Sequence, residues 1–174
     1  MPLTETPYLA MALNNAWANA TFFRACADLS DAAFTAPAPG FFDSLSRTLN
    51  HIYEVDLYYI DGLEQGGLGR AVFDRQDITN PVALAIAQAA ADLRLASFCK
   101  TLTAATLKET RVIARKHGDT HERVDALLMH LFQHQIHHRG QAHTQLHHLG
   151  IVPPQLDDFY LNDGRVPSAR AYWS

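Results

Sequence analysis

The sequence predicts an all-α fold: a four-helix bundle with a long crossover and a small β-hairpin before the last helix. Four long stretches carry apolar side chains at helical spacing, and segments rich in Pro or Gly separate them. The chain has 174 residues, which is enough for one domain, taken as 1–174, with a sizeable core. Four amphipathic helices with a long connection are typical of such a bundle.

The predicted helices begin at capping signals and end at residues that cannot continue a helix. Thr6 and Asn80 are capping residues, and each is followed by a proline suited to a first helical turn. The segment 31–42 contains two prolines and a glycine, and Gly62 is followed by a glycine-rich run. The four helices are predicted from Thr6–Pro7 toward Leu29, from Phe42 or Ser44 to Ile60, from Asn80–Pro81 to Leu102 or Leu107, and from Arg123 or Val124 to Gly150.

Two connections matter for function. The loop from Glu64 to Thr79 is long for a compact domain, so it is a candidate for lining a site. The segment 109–125 either prolongs the third helix to Gly118 or forms a hairpin around that glycine, and its alternating residues favour the hairpin. The tail after Gly150 is predicted to be irregular because Pro153 and Pro154 follow directly.

The composition suits a compact protein of the cytoplasm. Apolar residues make up 48% of the chain and charged residues 18%, with a net charge of −4, which argues against a nucleic-acid partner. No apolar run approaches the length of a membrane span, and the N-terminus lacks a signal-peptide pattern. Cys26 and Cys99 stand alone without CxxC spacing and are predicted to be small buried apolar residues.

The stretch from His130 to Leu149 holds seven of the ten histidines. On a helix, His130, His134 and His138 follow one another at i, i+4 spacing on a single face. Two imidazoles so spaced can meet a third from a facing helix and hold one metal ion. The candidate ligands are His51, from the second helix, with His134 and His138. Zinc, nickel, iron and copper accept neutral imidazole.

A structural interpretation stands beside this one. The spacing HxxxH arises by chance in a chain with ten histidines, and a single histidine such as His51 is more often a core or surface residue than a ligand. Other metal chemistries lack their signatures. No Glu stands three residues before a His in the bundle helices, as a di-iron site requires, and position 125 is Asp, so His121 does not begin an HExxH motif.

Two blocks of the sequence resemble the DinB-like family of metal-dependent four-helix proteins. They are LNHIYEVDLYYIDGLE, residues 49–64, and LLMHLFQHQIHHRGQAHTQLHHLGIVPPQLDDFY, residues 127–160. The resemblance implies helices in up-down-down-up order and a divalent metal held by three histidines, here His51, His134 and His138. It also implies a homodimer. Related branches are thiol-dependent, such as bacillithiol transferases and a mycothiol-dependent maleylpyruvate isomerase.

Several neighbours of the candidate ligands have open roles. His130 supports the site, replaces one of the ligands, or is a buried hydrogen-bonded residue. Gln141 either orients His138 or a bound water, or is a polar residue on the helix face. The resemblance places the metal on His138 rather than on His137.

Three further residues of the last helix carry structural expectations. Arg139 points away from the metal sector and is expected at the surface or at a dimer contact. His143, with His147, is expected to meet water. Gly140 in mid-helix is expected to allow a close helix contact, either inside the monomer or across a dimer.

The sequence leaves two functions open. One is an enzyme, a thiol-dependent transferase or a metal-assisted hydrolase, that binds nickel, zinc or iron beside a pocket lined partly by the loop 64–79 and acts on a small electrophile with a low-molecular-weight thiol. The other is a non-catalytic metal or small-molecule binding protein of a stress response. In a third interpretation the histidines only stabilise the bundle.

Overall fold

The computed structural model describes residues 7–157 and 166–172. Five α-helices and one two-stranded sheet lie in this part of the chain. They are α1 (Pro7–Cys26), α2 (Asp31–Phe34), α3 (Leu45–Glu64), α4 (Pro81–Lys100), β1 (Thr110–Arg115), β2 (Gly118–Arg123) and α5 (Val124–His148). Short 3-10 helices span Gly69–Asp74, Thr106–Lys108 and Pro167–Tyr172.

The four long helices form the bundle that the sequence predicted. α3 is antiparallel to α5, because Thr48 near the start of α3 bonds Gln145 near the end of α5, and Asp56 bonds Gln135. α4 is parallel to α3. Asn50, early in α3, bonds the Ile78 carbonyl just before α4, and Asp56, further along α3, bonds Gln88, about two turns into α4.

The direction of α1 completes the order. The end of α1 shares an apolar cluster with Leu84 at the start of α4, whereas its beginning shares a second cluster with Cys99 at the end of α4. α1 and α4 are therefore antiparallel. In chain order the long helices run up, down, down and up, as the resemblance implied, and the connection 65–80 is the long crossover between the parallel pair.

Helix starts follow the capping residues closely. Ser44 and Asn80 each have extended backbone, and their side chains accept hydrogen bonds from Arg47 N and Ala83 N. The hairpin is also confirmed: β1 pairs antiparallel with β2 around a tight turn at Gly118, whose φ is 116°. The proposed cap at Thr6 lies outside the described residues.

Helix ends were predicted less well. α1 ends at Cys26 rather than Leu29, α4 at Lys100 rather than Leu102 or Leu107, and α5 at His148 rather than Gly150. α3 runs through Gly62 to Glu64, because packing of the buried Leu63 and Ile60 outweighs the weak helix propensity of one glycine.

The segments expected to be loops hold short helices. The break after α1 contains α2, and the loop 64–79 contains the 3-10 helix Gly69–Asp74. The tail is irregular from 151 to 157, as expected, but Pro167–Tyr172 forms a 3-10 helix. Cys26 and Cys99 are buried free thiols, as predicted.

A layer of polar side chains crosses the middle of the bundle, and the sequence analysis did not anticipate it. Asp92 of α4 accepts hydrogen bonds from Asn15, Asn19 and Gln88. Arg139 of α5 donates to both asparagines at 2.8 Å. Because these bonds join three helices at one level, they fix the register of the helices.

By length and composition alone, α4 is long and apolar enough to cross a membrane, with a mean hydropathy of 1.4 over 18 residues. The sequence analysis had not expected such a segment. It carries the buried polar residues Gln88 and Asp92, which bond α3 and α1. These contacts pack α4 into the bundle, and 33% of the 18-residue window is buried.

Candidate metal centre

The three histidines predicted as ligands come together between α3 and α5. One ring nitrogen from each of His51, His134 and His138 lies within 4.8 Å of the other two. His51 Nε2 and His134 Nε2 are 3.0 Å apart. The antiparallel packing of α3 on α5 places His51 opposite the two histidines that α5 presents one turn apart.

The environment keeps two of these imidazoles neutral. Burial, together with smaller effects of the neighbouring His138 and His51, lowers the pKa of His134 to about 3. Burial is also the main reason that the pKa of His138 lies below its ordinary value, against the opposing hydrogen bond with Gln141. Near neutral pH both residues therefore have a nitrogen lone pair, the form that binds metal.

Hydrogen bonds at the far nitrogens select which nitrogen faces the cluster. His138 Nδ1 donates to Gln141 Oε1 at 2.8 Å, and the same amide donates to His137 Nε2 at 3.0 Å. His51 Nδ1 lies 3.4 Å from Glu54 Oε1. An imidazole that donates through Nδ1 keeps its Nε2 unprotonated. Gln141 therefore has the orienting role left open by the sequence.

One wall of the site is aromatic and comes from the turn before α3. The ring of Phe42 lies 4.6 Å from that of His51 and 5.7 Å from that of His138. Gln145 holds this turn, since it donates to the Phe42 carbonyl at 2.8 Å and accepts from Thr48 Oγ1 at 2.6 Å. The ring shields the imidazoles from water on this side.

On the other side, a small cavity of about 240 Å³ reaches His134. His130 stands between this histidine and Tyr59, with ring centroids 6.3 Å from His134 and 4.9 Å from Tyr59. His130 is thus a lining residue of the cavity and is not part of the three-histidine cluster. The 64–79 loop contributes Arg70 and Phe73 to the same cavity, as the sequence analysis expected of that loop.

The residues present fit a divalent ion. Nitrogen ligands at the usual distances of ~2.0–2.1 Å from tetrahedral zinc lie roughly 3.3–3.4 Å from one another, close to the 3.0 Å between His51 and His134. The Nδ1 atom of His134 is buried without a hydrogen-bond partner among the described residues. At 3.0 Å the Nε2 atoms of His51 and His134 are within hydrogen-bond distance, so in the metal-free protein one of them donates a proton to the other, and a cation can take the place of that proton. The cluster is therefore compatible with metal binding.

Two expectations for the rest of α5 are wrong. Arg139 is buried rather than at a surface, because Asn15 and Asn19 offer it acceptors inside the bundle. His143 is half-buried and bonds the Pro154 carbonyl at 3.1 Å. Gly140 makes no close helix contact within the described part of the chain, since a Cβ built there meets nothing within 4 Å, and a contact across a dimer stays a prediction.

The sequence analysis missed the residues that surround the cluster. Phe42, Gln145, Tyr59 and Arg115 come from a turn, two helices and the hairpin, and no spacing along the chain relates them to the histidines. The aromatic pair after the Pro-Gly turn was the one available signal for Phe42.

Fold and site together define an up-down-down-up helical bundle with a three-histidine cluster between α3 and α5. The sequence profile of the DinB family matches residues 2–165, so the chain belongs to the DinB family. A solved structure, a DinB-like protein from Bacillus cereus ATCC 10987, superimposes with a TM-score of 0.68 at 18% identity, over 85% of this chain and 94% of the other. That similarity supports the fold. No curated protein matches the chain.

Proposed function

We propose that this protein binds one divalent metal ion, nickel, zinc or iron, through His51, His134 and His138, and uses it in a reaction on a small molecule. The observation that carries the proposal is the convergence of three ring nitrogens within 4.8 Å, with the environment favouring neutral imidazole at two of them. Three protein ligands are typical of catalytic sites, because a structural site closes its coordination with a fourth.

The bound metal would supply Lewis acidity, lowering the pKa of a thiol or water held beside it. The protein's own residues would prepare the site. Gln141 and Glu54 hold the far nitrogens of His138 and His51, so their Nε2 atoms face the cluster. Phe42 covers one side of the cluster, while the cavity beside His134 gives room for a small substrate.

This cavity favours an enzyme over a passive metal-binding protein. The reaction class we propose is transfer of a small thiol to an electrophile, or a metal-assisted hydrolysis. In the first, the thiol sulfur forms a bond to the electrophilic carbon and the thiol proton leaves, either to a displaced group or to the adduct.

The test is metal content measured by mass spectrometry on untagged protein, with His51→Ala and His138→Ala as site variants. His147→Ala is the matched control, because His147 lies on α5 but is exposed. About one equivalent of metal in the wild type and control, lost in both site variants with the helical circular dichroism retained, would support the proposal. Wild-type protein that stays empty when divalent ions are added would refute it.

An activity assay on metal-loaded protein then distinguishes an enzyme from a non-catalytic metal-binding protein. It should be incubated with an electrophile such as 1-chloro-2,4-dinitrobenzene and each of several small thiols, and with activated esters for hydrolysis. Turnover that is lost in the His138→Ala variant identifies an enzyme. A loaded protein that turns over none of these compounds faster than the His138→Ala variant would favour the binding protein.

A further inference from the structure

The cavity beside His134 is lined by two arginines as well as by the histidine. Its lining includes Arg70 from the 3-10 helix of the crossover and Arg115 from β1, together with Tyr58 and Tyr59 of α3. Two arginines on separate elements therefore reach one cavity that also touches a proposed metal ligand.

The two arginines differ in how their charge is compensated. Arg115 is paired with Glu122 at 2.5 Å and donates to the Tyr59 hydroxyl at 2.9 Å. Burial opposes the charge on Arg115, but its hydrogen bonds with Tyr59 and Glu122 raise its pKa overall. Arg115 is thus a fixed, neutralised cation.

Arg70 has no such partner. It lies with its guanidinium 5.9 Å from the Phe73 ring centroid and makes no ion pair with residues 7–157 or 166–172. Arg70 is exposed to solvent, and its side chain makes no hydrogen bond with these residues, so its N–H donors are available to a ligand that enters the cavity.

We propose that this cavity binds the carboxylate of a small organic acid, with Arg70 as its main cationic partner and Arg115, which Tyr59 and Glu122 hold in place, as the second cation. A guanidinium binds a carboxylate through two parallel hydrogen bonds, which a neutral ligand cannot reproduce. The role of the acid as substrate rests on the proposed metal-dependent function, but its binding to the arginines does not.

The size of the cavity limits the ligand. A volume of about 240 Å³ is below the roughly 300–1,000 Å³ of cavities that enclose drug-sized molecules. Only a small acid, or the acidic end of a larger one, fits between the arginines and His134. Its carboxylate on Arg70 would direct the rest of the molecule toward the histidines.

The test is a titration followed by nuclear magnetic resonance of arginine side-chain Nε–Hε groups, with zinc-loaded and metal-free protein. Succinate is the probe, and succinamide is its neutral counterpart. Succinate should move the signals of Arg70 and Arg115 in both protein forms, and succinamide should not. Arg70→Gln should weaken succinate binding by about tenfold or more, because a charged hydrogen-bond donor is lost.

Arg94→Gln is the control, since Arg94 is an exposed arginine of α4 that pairs with Glu64 away from the cavity. It should bind succinate as the wild type does. The inference is overturned if succinamide binds equally well, if Arg70→Gln leaves succinate affinity unchanged, or if the signal of Arg94 moves as much as that of Arg70.

Zinc stoichiometry, measured on the same samples, reports on the proposed function separately. Protein that takes up one zinc ion but shows no succinate response refutes the acid site and retains the metal site. Protein that binds succinate at Arg70 without ever binding zinc retains the acid site and refutes the metal-dependent function.

Discussion

Arg139 is the cation of the polar layer in the bundle core, and replacing it tests whether that layer holds the helices in register. It donates hydrogen bonds of 2.8 Å to Asn15 and to Asn19, and it lies in the field of two buried carboxylates, Asp92 and Asp56. The substitution Arg139→Met keeps the length and apolar part of the side chain but removes the charge and all donors.

The loss of unfolding free energy in Arg139→Met can be worked out from these contacts. Each hydrogen bond from a charged donor contributes about 1.5–3 kcal/mol, so the two bonds together contribute roughly 3–6 kcal/mol. Removal of one member of a buried charge network typically costs about 3–5 kcal/mol. We therefore expect Arg139→Met to lower the free energy of unfolding by about 4 kcal/mol at pH 7.5.

This loss should depend on pH in a definite direction. Burial raises the folded-state pKa of Asp92 from 3.8 to about 6, so its protonation contributes stability that is fully present below pH 3.8 and is lost as pH rises through 6. Without Arg139, which lowers that pKa, ionised Asp92 is still less favourable. The deficit of Arg139→Met should therefore be smaller at pH 5 than at pH 7.5.

The assay is urea unfolding followed by circular dichroism at both pH values. Arg47→Met is the control, because Arg47 makes a surface ion pair with Asp77 and its side chain is 57% exposed. The control should lose no more than about 1 kcal/mol. A deficit for Arg139→Met that is as small as that of the control, or that grows toward pH 5, would refute this account of the polar layer.

Three further predictions concern single residues. Gln141→Leu should weaken metal affinity by about 10–100-fold because His138 loses its orienting acceptor, whereas Gln133→Leu, exposed on the same helix, should not; calorimetric titration measures both. Gly140→Ala should raise the free energy of unfolding by about 0.5–1 kcal/mol, since a Cβ there meets nothing within 4 Å. Gly62→Ala should raise it less, because its Cβ would lie 2.6 Å from Ile113. A Gly140→Ala protein of unchanged or lower stability would contradict this prediction. In metal-free protein the nuclear magnetic resonance signals of the His134 ring, with a pKa of about 3, should stay constant from pH 7.5 to 5. Because this folded pKa is below the ordinary 6.5, the contribution of His134 to stability should fall as pH drops below 6.5. A titration midpoint near 6.5 would contradict the low pKa.

The sequence was sufficient for those features that depend on local signals. Capping by Asn80, the hairpin turn at Gly118 and the helical spacing of His134 and His138 are each set by a few neighbouring residues, and the structure contains all three. The pairing of these two histidines with His51 needed more than spacing, because it depends on which helices are neighbours. His51 was proposed as the third ligand because it is the single histidine of the second helix, and the resemblance to the DinB-like family then supported that choice.

What the sequence could not show depends on packing between distant segments. On a helical wheel Arg139 is predicted to be a surface residue, because the asparagines that make its burial possible lie on another helix. Likewise, nothing near Arg70 or Arg115 in the sequence indicates that the crossover and the hairpin share a cavity with His134. The expected homodimer, the cytoplasmic location and the thiol partner remain predictions.

The central claim is that three histidines from two helices hold one metal ion. Crystals of protein loaded with nickel or zinc, with diffraction data collected on both sides of the absorption edge of the metal, test it most directly. We predict one strong anomalous peak per chain within ligand distance of His51, His134 and His138. A peak elsewhere on the chain, or none among these three residues in protein with full metal content, would contradict the account.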